Sequence, residues 1–338
     1  MKEKEKNATV ISFVNMKGGV AKTTLSINIA KELSKKYSVL VIDMDPQFNA
    51  TQSLLFYKDA HTDTNYNKLI NDYGVENDNV IQETVDKDVT TAEFYSTLST
   101  NSKTVHKIFC NPDILSKTDI INEVFIKIDN NLHLFAGDLE LSNDISGDVS
   151  KKNFAVSQFL DDYKIKSYFD YIIIDCSPTW SILVSSSLRA SDYYIIPSKV
   201  DTYSSIGIKL LEKKIEKEIL TEYAYKNNPN LNLHSLGIVF TLTNDSVKAE
   251  TRLREKLTSE YKTKHNLNTF NTSIPYIPSV ASRFLLIDEV QKNNKYHNIV
   301  NAIEKLTDEI KDKINNKTND EINDRINDRI NNEINDKI

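Results

Sequence analysis

The residues best suited to chemistry lie in one short stretch near the N-terminus, NMKGGVAKTT. Its Lys22 and Thr23 match the end of the phosphate-loop pattern G-x-x-x-x-G-K-[ST]. Backbone N–H groups can converge on a phosphate where residues lack a side chain, and Gly18 and Gly19 meet this need. Lys22 would reach the β- and γ-phosphates of a nucleotide, and the Thr23 hydroxyl would ligate Mg²⁺. The stretch therefore predicts a nucleotide site.

Two positions of this loop depart from the general pattern. Met16 and Ala21 stand where the pattern has its glycines. We expect Ala21 to be tolerated if its φ is negative, as in a residue that enters a helix. A positive φ would cost on the order of 1 kcal/mol or more. The loop is thus expected to hold a phosphate without a glycine before its lysine.

The elements around the loop have the order that it needs. TVISFV (9–14) predicts a buried strand, TTLSINIAKELSKKY (23–37) carries an apolar stripe at helical spacing, and SVLVIDMD (38–45) predicts a second strand. Strand, loop, helix and strand form a βαβ unit with a right-handed crossover.

The same alternation continues along the chain and predicts a doubly wound, mostly parallel α/β sheet with helices on both faces. The further predicted strands are 171–175, 192–197 and 235–243, and the helices between them are about 203–222 and 246–262.

Two stretches lie outside this alternation of one domain over 1–300. Residues 58–130 are rich in Asp, Asn and Thr, and we interpret them as an insertion or helical subdomain. A C-terminal helix is expected at 301–314, followed by a low-complexity tail, 315–338, with Ile at four-residue spacing. The isoleucines drift about 40° per repeat on a helix, and Asn and Asp disfavour helix interiors. Disorder or partial helicity is expected; a helix that assembles with a partner is the alternative.

Composition limits the class of protein. A hydrophobic content of 39% and a charged content of 27% fit a soluble globular protein. No signal peptide or membrane span is apparent, and Cys110 and Cys176 suggest a reducing compartment, so we expect a cytoplasmic location. With a net charge of −6, any contact with nucleic acid must come from a local basic face.

Five ordered motifs carry a resemblance to a known family. KGGVAKTT is similar to the deviant Walker A motif of the ParA/MinD superfamily, usually KGGVGKTT. VLVIDMDPQFNATQSL resembles its second motif, and DYIIIDCSPTWSIL resembles its Walker B region. SDYYIIPSKVDTYSSIGIKLL and LGIVFTLTN match two later segments. DPQ points to ParA-type partition ATPases, with a P-loop NTPase fold.

The resemblance implies ATP and Mg²⁺ as ligands. Lys17 matches the extra signature lysine of the family, which would reach the partner subunit's phosphates and stabilise charge in trans. Asn244 lies where relatives contact adenine, although an ordinary turn asparagine is an equal alternative. The implied nucleotide-binding residues are Lys17, Gly18, Gly19, Val20, Ala21, Lys22, Thr23, Thr24 and Asn244.

Three acids follow two of the strands. The resemblance implies that Asp45 orients the attacking water and is catalytic together with Lys17 and Lys22. Asp43 and Asp175 would help to hold the metal with the hydroxyl of the loop threonine, Thr23. A solvated carboxylate at a strand end is the alternative for each acid.

Some positions depart from the family's motifs. Phe48 replaces the glycine of DPQGN, as Ala21 replaces the loop glycine. Ser177 replaces the first proline of DCPPS, and Ile206 stands where many relatives have Glu. No charged catalytic group is lost, so nucleotide binding is still expected.

The implied partners are a second copy of the chain when ATP is bound, nonspecific double-stranded DNA and a ParB-like centromere-binding protein, at the nucleoid. The candidate DNA contacts are Arg252, Arg254, Lys256 and Arg283. A solvated charged helix is the alternative for 248–264. A MinD-like ATPase that positions a membrane or protein complex is the rival function. The tail lacks aromatic residues and is more acidic than basic, so no membrane contact is expected. A nucleotide-gated DNA scaffold that hydrolyses negligibly is the non-enzymatic alternative.

Overall fold

A single twisted sheet organises the chain in a computed structural model. The structure describes residues 7–62, 103–110, 120–142, 149–222, 225, 233–278, 280, 286–290 and 294–335. Within these residues eight strands form the sheet in the order β3-β4-β2-β5-β1-β6-β7-β8. The strands are β1 Thr9–Phe13, β2 Val39–Met44, β3 Ile126–Lys127, β4 Leu132–Phe135, β5 Tyr171–Cys176, β6 Tyr193–Lys199, β7 His234–Thr243 and β8 Ile274–Pro275.

The strand pairing confirms the doubly wound, mostly parallel sheet. β1 lies in its middle, parallel to β5 on one side and to β6 on the other. Among the strands that the structure describes, only β3 pairs in the antiparallel sense, with β4. The five strands expected from apolar runs are all present. The other three, β3, β4 and β8, are only two to four residues long and carry too short a pattern to be recognised.

Helices follow most of the strands. They are α1 Lys22–Ser34, α2 Asn49–Thr62, α3 His106–Cys110, α4 Ile120–Val124, α5 Val149–Lys152, α6 Ala155–Asp162, α7 Ile182–Arg189, α8 Thr202–Ile215, α9 Lys248–His265, α10 Ile287–Val290 and α11 His297–Asn335. A turn of π-helix, Glu216–Leu220, continues α8.

Helices cover both faces of the sheet, as expected. On one face α1 packs against α11, and Leu25 and Ile29 share a buried cluster with Leu306. On the other face α7 and α8 contribute Leu188 and Ile208 to a second cluster. Because both faces are covered, the central strands are apolar on both sides and read as continuous hydrophobic runs.

Two boundaries differ from the sequence-based expectation. α2 extends to Thr62, beyond residue 58, where we expected the insertion to begin. Most of 58–130 lies outside the described residues. α11 crosses from the expected C-terminal helix into the tail and keeps a helical backbone to Asn335. Ile314 is a buried anchor of this helix. Among the described residues, no helix combines the length and apolar composition that a bilayer crossing requires.

Candidate functional site

The loop between β1 and α1 is built to leave backbone N–H groups free. Ala21 occupies the N-cap position of α1 and has no side chain that can accept from the first turn. Helix N-terminal N–H groups without a cap attract an anion, with the helix dipole in support. The loop is fixed from the neighbouring sheet, since Thr241 Oγ1 of β7 donates to the Val20 carbonyl over 3.0 Å. The start of α1 is therefore uncapped by Ala21, as the predicted phosphate site requires.

Both residues that replace family glycines have left-handed backbones. Ala21 has φ 61° and ψ 32°, and Phe48 has φ 64°. The condition for an unstrained Ala21, a negative φ, is therefore not met, and the expected cost of a positive φ applies. Its β-carbon meets the following backbone in this region, at a cost of roughly 1–2 kcal/mol. The loop keeps the glycine-type conformation because its neighbours hold it, and the chain accepts the strain.

The loop threonine meets the acid of the central strand. Thr23 Oγ1 donates to Asp175 Oδ2 over 2.7 Å, and both groups are buried. The other oxygen, Asp175 Oδ1, is buried without a hydrogen-bond partner in the described structure. Burial, followed by the negative charge of Asp43, raises the pKa of the Asp175 carboxyl. A bound cation would interact with the unpartnered oxygen and offset both the desolvation of Asp175 and its repulsion by Asp43.

No group of three or more His, Cys, Asp or Glu side chains suited to a metal ion occurs in the described ranges. Mg²⁺ is usually held by one or two protein oxygens and completes its shell with waters and substrate phosphates. Thr23 and Asp175 fit that kind of site.

Asp43 supports the site from behind. It pairs in register with Asp175 across β2 and β5. Its Oδ2 accepts from the backbone N–H and the hydroxyl of Thr51, at 2.8 and 2.7 Å, and its Oδ1 accepts from the Asp45 N–H at 3.1 Å. A β-carbon on Gly137 would lie 3.0 Å from this carboxylate. Both oxygens of Asp43 therefore accept hydrogen bonds, one from the start of α2 and one from the loop that carries Asp45, whereas a metal ligand would need an available oxygen. Sequence reasoning missed Thr51 and Gly137.

Lys22 and Asp45 lie inside the site with opposite charges. Lys22 is buried, and its Nζ donates to the Lys17 carbonyl over 3.2 Å. Burial lowers the pKa of Lys22, against the raising effect of Asp175 and Asp45. Burial raises the pKa of Asp45, whose Oδ1 accepts from the Gln47 N–H at 3.0 Å. The site thus holds a desolvated ammonium, Lys22, and a desolvated carboxylate, Asp45. A bound triphosphate would favour the protonated form of Lys22.

Lys17 is paired within its own chain. Its Nζ donates to Asp201 Oδ2 over 2.7 Å and to Ser204 Oγ over 3.3 Å. Asp201 is the N-cap of α8 and accepts from the Ser204 N–H. This contact places Lys17 beside α8, and its ammonium would have to leave Asp201 to reach a second subunit.

Sequence reasoning also missed Lys199, the last residue of β6. Its Nζ lies 3.9 Å from the position that a β-carbon on Gly19 would take. Among the described residues it forms no salt bridge. The site therefore contains a third ammonium beside the loop, and the only signal for it was a lysine at the end of a strand that neighbours β1.

Asn244 directly follows β7 and forms an exposed turn. Its Oδ1 accepts from the N–H and the hydroxyl of Ser246, at 3.1 and 2.7 Å. Tyr276, which follows β8, donates its N–H to the Thr243 carbonyl. The turn therefore lies at the end of β7. The contacts of Asn244 with Ser246 are those of an ordinary turn asparagine, so its contact with adenine stays a prediction.

The four candidate DNA residues have different environments in the structure. Arg252 and Lys256 are exposed, one turn apart on α9. Arg254 is engaged instead: its Nη2 pairs with Asp245 Oδ1 and its Nη1 donates to Ser273 Oγ, each over 2.8 Å. These contacts tie α9 to the turn after β7, which argues against a DNA contact by Arg254. Arg283 lies outside the described residues.

The last residue of β5 and the turn after it serve packing. Cys176 is buried, and burial raises the pKa of its thiol to about 12, which keeps it in the unreactive thiol form. Trp180 donates Nε1 to Glu218 Oε2 over 2.7 Å, and Lys214 lies over its ring. These contacts fix the start of α7 against the π-helix that follows α8.

Three features define the P-loop nucleoside triphosphatase fold: the central parallel strand β1, the phosphate-type loop before α1, and the acid Asp175 near the end of the adjacent strand β5. A family model described as AAA domain matches residues 8–233. The chain belongs to this family, and within it to the ParA-type P-loop ATPases.

Individual proteins are similar to this chain over most of its length. An uncharacterized protein of Methanocaldococcus jannaschii is 29% identical, with 85% of this chain and 89% of that protein covered. The chromosome partitioning protein ParA of Myxococcus xanthus is 26% identical, with 82% of this chain and 81% of that protein covered. The structure of Cyanothece McdA in complex with ATP has a TM-score of 0.60 and 18% identity, with 90% and 97% covered. That likeness shows the fold.

Proposed function

We propose that this chain is an ATP-dependent DNA partition ATPase. In this proposal it binds ATP with Mg²⁺, dimerises, binds nonspecifically to nucleoid DNA in the cytoplasm, and is released when a ParB-like centromere-binding adaptor stimulates hydrolysis. The single observation that carries the nucleotide step is the buried contact of Thr23 with Asp175, whose second oxygen has no partner in the described structure. The partition role is supported by the likeness to chromosome partitioning ParA of M. xanthus.

ATP binding would use the uncapped N-terminus of α1. The N–H groups from Gly18 to Thr24 surround the phosphates, and Lys22 neutralises the β- and γ-phosphate charge. Thr23 and Asp175 would hold Mg²⁺, which supplies further charge neutralisation on the phosphate oxygens when bound. Asp43 holds the loop of Asp45 in place through its contacts with Thr51 and the Asp45 N–H.

Hydrolysis would depend on Asp45 and Lys17. Asp45 directly follows β2, is buried and lies near the charge of Lys22, which supports a role in orienting a water molecule toward the terminal phosphate. Lys17 would exchange Asp201 for the phosphates bound to a second subunit and stabilise the charge that develops there. In the single chain its ammonium is held by Asp201, which supports slow hydrolysis before dimerisation.

DNA binding would use the exposed face of α9. Lys248, Arg252 and Lys256 follow one another at four-residue spacing and all are exposed. Lysine and arginine contacts with phosphates carry no sequence information and weaken steeply with salt, which suits nonspecific binding.

Titration of ATP into purified protein tests the proposal. Wild type should bind magnesium-ATP, and Lys22→Ala should abolish binding because the phosphates lose their buried cation. Lys58→Ala, which removes a lysine on α2 outside the site, is the matched control. Tight ATP binding by Lys22→Ala would refute the assignment of the loop.

The rate of ATP hydrolysis distinguishes a cycling ATPase from a nucleotide-gated DNA scaffold. Phosphate release should be slow with wild type alone and faster with DNA and a centromere-bound adaptor. Asp45→Ala should remain ATP-bound on DNA. Normal turnover by this variant would remove Asp45 from the catalytic role, and the absence of phosphate release under all conditions would favour the scaffold.

A further inference from the structure

Lys199 reaches the phosphate loop from outside the motif that defines it. This lysine is the last residue of β6, the strand that lies beside β1 in the sheet. Its Nζ lies 3.9 Å from the position that a β-carbon on Gly19 would take. The ammonium is therefore adjacent to a loop residue whose backbone N–H is expected to bind phosphate.

The ammonium of Lys199 has no counter-ion of its own. Its side chain is half-buried, and within the part of the chain that the structure describes it takes part in no salt bridge and donates no hydrogen bond. Burial removes water from an ammonium, and an anion close by offsets that loss. An unpaired, half-buried ammonium beside the loop thus favours an anion that comes from outside the chain.

The nearest carboxylate along the sequence is already engaged. Asp201 lies two residues after Lys199 and donates its N–H to the Lys199 carbonyl over 3.0 Å. Its Oδ1 accepts from the Ser204 N–H over 2.7 Å, and its Oδ2 accepts from Lys17 Nζ over 2.7 Å. Asp201 therefore holds Lys17 and caps α8, while the turn that carries it leaves Lys199 facing the loop.

The sheet places Lys199 opposite the candidate metal site. β1 lies between β5, which carries Asp175, and β6, which ends in Lys199. The carboxyl ends of these parallel strands share one edge of the sheet, where the loop also lies. Thr23 and Asp175 would hold Mg²⁺ on the β5 side. A phosphate at the loop would therefore have positive charge on both sides.

In the single chain, the three ammonium groups of the site differ in availability. Lys17 is paired with Asp201, so it is not free for the phosphates. Lys22 is buried within the site, and Lys199 is half-buried and unpaired among the described residues. Lys22 and Lys199 are thus the two cations that the subunit can offer to its own nucleotide.

We propose that Lys199 is a phosphate-binding residue, which contacts the phosphates of the nucleotide in its own subunit from the β6 side. The proposal rests on the proposed function and deepens it. It assigns to Lys199 the charge neutralisation that Lys17 cannot provide until it leaves Asp201. Lys199 then acts in ATP binding by the monomer, whereas Lys17 acts after dimerisation.

Calorimetric titration of magnesium-ATP into the full-length chain tests the assignment. Lys17→Gln serves as the background, so that binding is measured in the monomer. Adding Lys199→Gln should weaken binding about tenfold or more, the loss expected for one hydrogen bond between charged groups. Adding Lys199→Arg keeps the charge and should keep the affinity within about threefold. The affinity of the glutamine variant should also depend less on salt concentration, since one charge pair is lost.

The matched control is Lys127→Gln. Lys127 also ends a strand, but it is exposed on β3 at the far edge of the sheet, so ATP affinity should not change. Thermal melting separates binding from folding. Without nucleotide, Lys199→Gln should melt with wild type because the ammonium has no partner to lose. With magnesium-ATP at a fixed concentration, its rise in Tm should be smaller than that of wild type.

Three outcomes would overturn the proposal. ATP affinity that is equal in Lys199→Gln and Lys127→Gln would remove Lys199 from the phosphates. Normal affinity in the monomer with loss of the ATP-dependent dimer, measured with Lys17 intact, would assign Lys199 to the second subunit. A lower Tm without nucleotide, together with no rescue by Lys199→Arg, would make the residue structural. If wild type itself does not bind magnesium-ATP, the proposed function fails, and this result is distinct from a defect confined to Lys199→Gln.

Discussion

Lys17 Nζ and Asp201 Oδ2 lie 2.7 Å apart, so the lysine implied to act on a partner subunit is held by the N-cap residue of α8 in its own chain. The two side chains are 41% and 31% exposed. Exposed pairs of this kind contribute about 0–1 kcal/mol, so the contact is weak enough to exchange for a phosphate.

Asp201→Asn should release Lys17. Asparagine caps a helix about as well as aspartate, so α8 stays intact while the charge that holds Lys17 is lost. We expect the ATP-dependent dimer to form about two- to fivefold more readily, as loss of up to about 1 kcal/mol implies. Analytical ultracentrifugation with ATP measures this change. A weaker dimer in Asp201→Asn would mean that Asp201 itself supports the assembly.

Ala21→Gly should stabilise the chain. Ala21 has φ 61°, a conformation that glycine adopts without a β-carbon clash, so the free energy of unfolding should rise by about 1 kcal/mol. Urea unfolding of the nucleotide-free protein measures it.

Phe48→Gly is the matched contrast. Phe48 shares the left-handed backbone, but its side chain is buried. Removing a buried phenylalanine costs about 3–5 kcal/mol, which exceeds the relief of strain. This variant should therefore be less stable than wild type. Equal effects of the two substitutions would show that strain does not decide the outcome.

Stability should depend on pH through Asp175. Burial and the Asp43 charge raise the pKa of this carboxyl above its unfolded value of 3.8. An acid with a raised folded pKa is most favourable to folding at low pH, and that stability is lost as pH rises through the raised value. Asp175→Asn cannot ionise, so its Tm should exceed that of wild type by a margin that grows between pH 5.5 and 8, without nucleotide.

Magnesium-ATP should reverse this order at pH 8, because the wild-type carboxylate can hold the cation and the amide cannot. Differential scanning calorimetry with and without magnesium-ATP provides the comparison. A margin that does not change with pH would show that Asp175 titrates normally.

Measurements of DNA binding should distinguish the exposed pair Arg252 and Lys256 from the engaged Arg254. Arg252→Ala/Lys256→Ala removes two exposed charges and should lower both the affinity for duplex DNA and the slope of its salt dependence, by about two. Arg254→Ala breaks the contacts with Asp245 and Ser273, so it should lower thermal stability and leave that slope nearly unchanged. Anisotropy titrations over a range of salt concentrations, with Asp45→Ala and ATP, measure both. An unchanged slope in the double variant would exclude this face.

The sequence predicted the five long strands and the meeting of Thr23 with the region of Asp175. Long apolar runs mark central strands, and the carboxyl ends of parallel strands share one edge of the sheet. It did not reveal β3, β4 or β8, which are too short to show a period, nor Gly137, whose need for a small residue appears only beside Asp43.

Other features depended on residues far apart in the chain. Lys17 and Asp201 are 184 positions apart, and no local pattern links them. The engagement of Arg254 and the exposure of Ile206 likewise depend on which neighbours pack against α9 and α8.

The sequence by itself determined the order of the elements, the loop that ends in Lys22 and Thr23, and the acids that follow the strands, because periodicity and short motifs are local properties of a chain. The tertiary structure alone decided the left-handed backbones of Ala21 and Phe48, the contact of Lys17 with Asp201, and the exposure of Ile206 on α8. Each of these follows from packing between distant segments, which sets the backbone angles, the charge partners and the surfaces left uncovered.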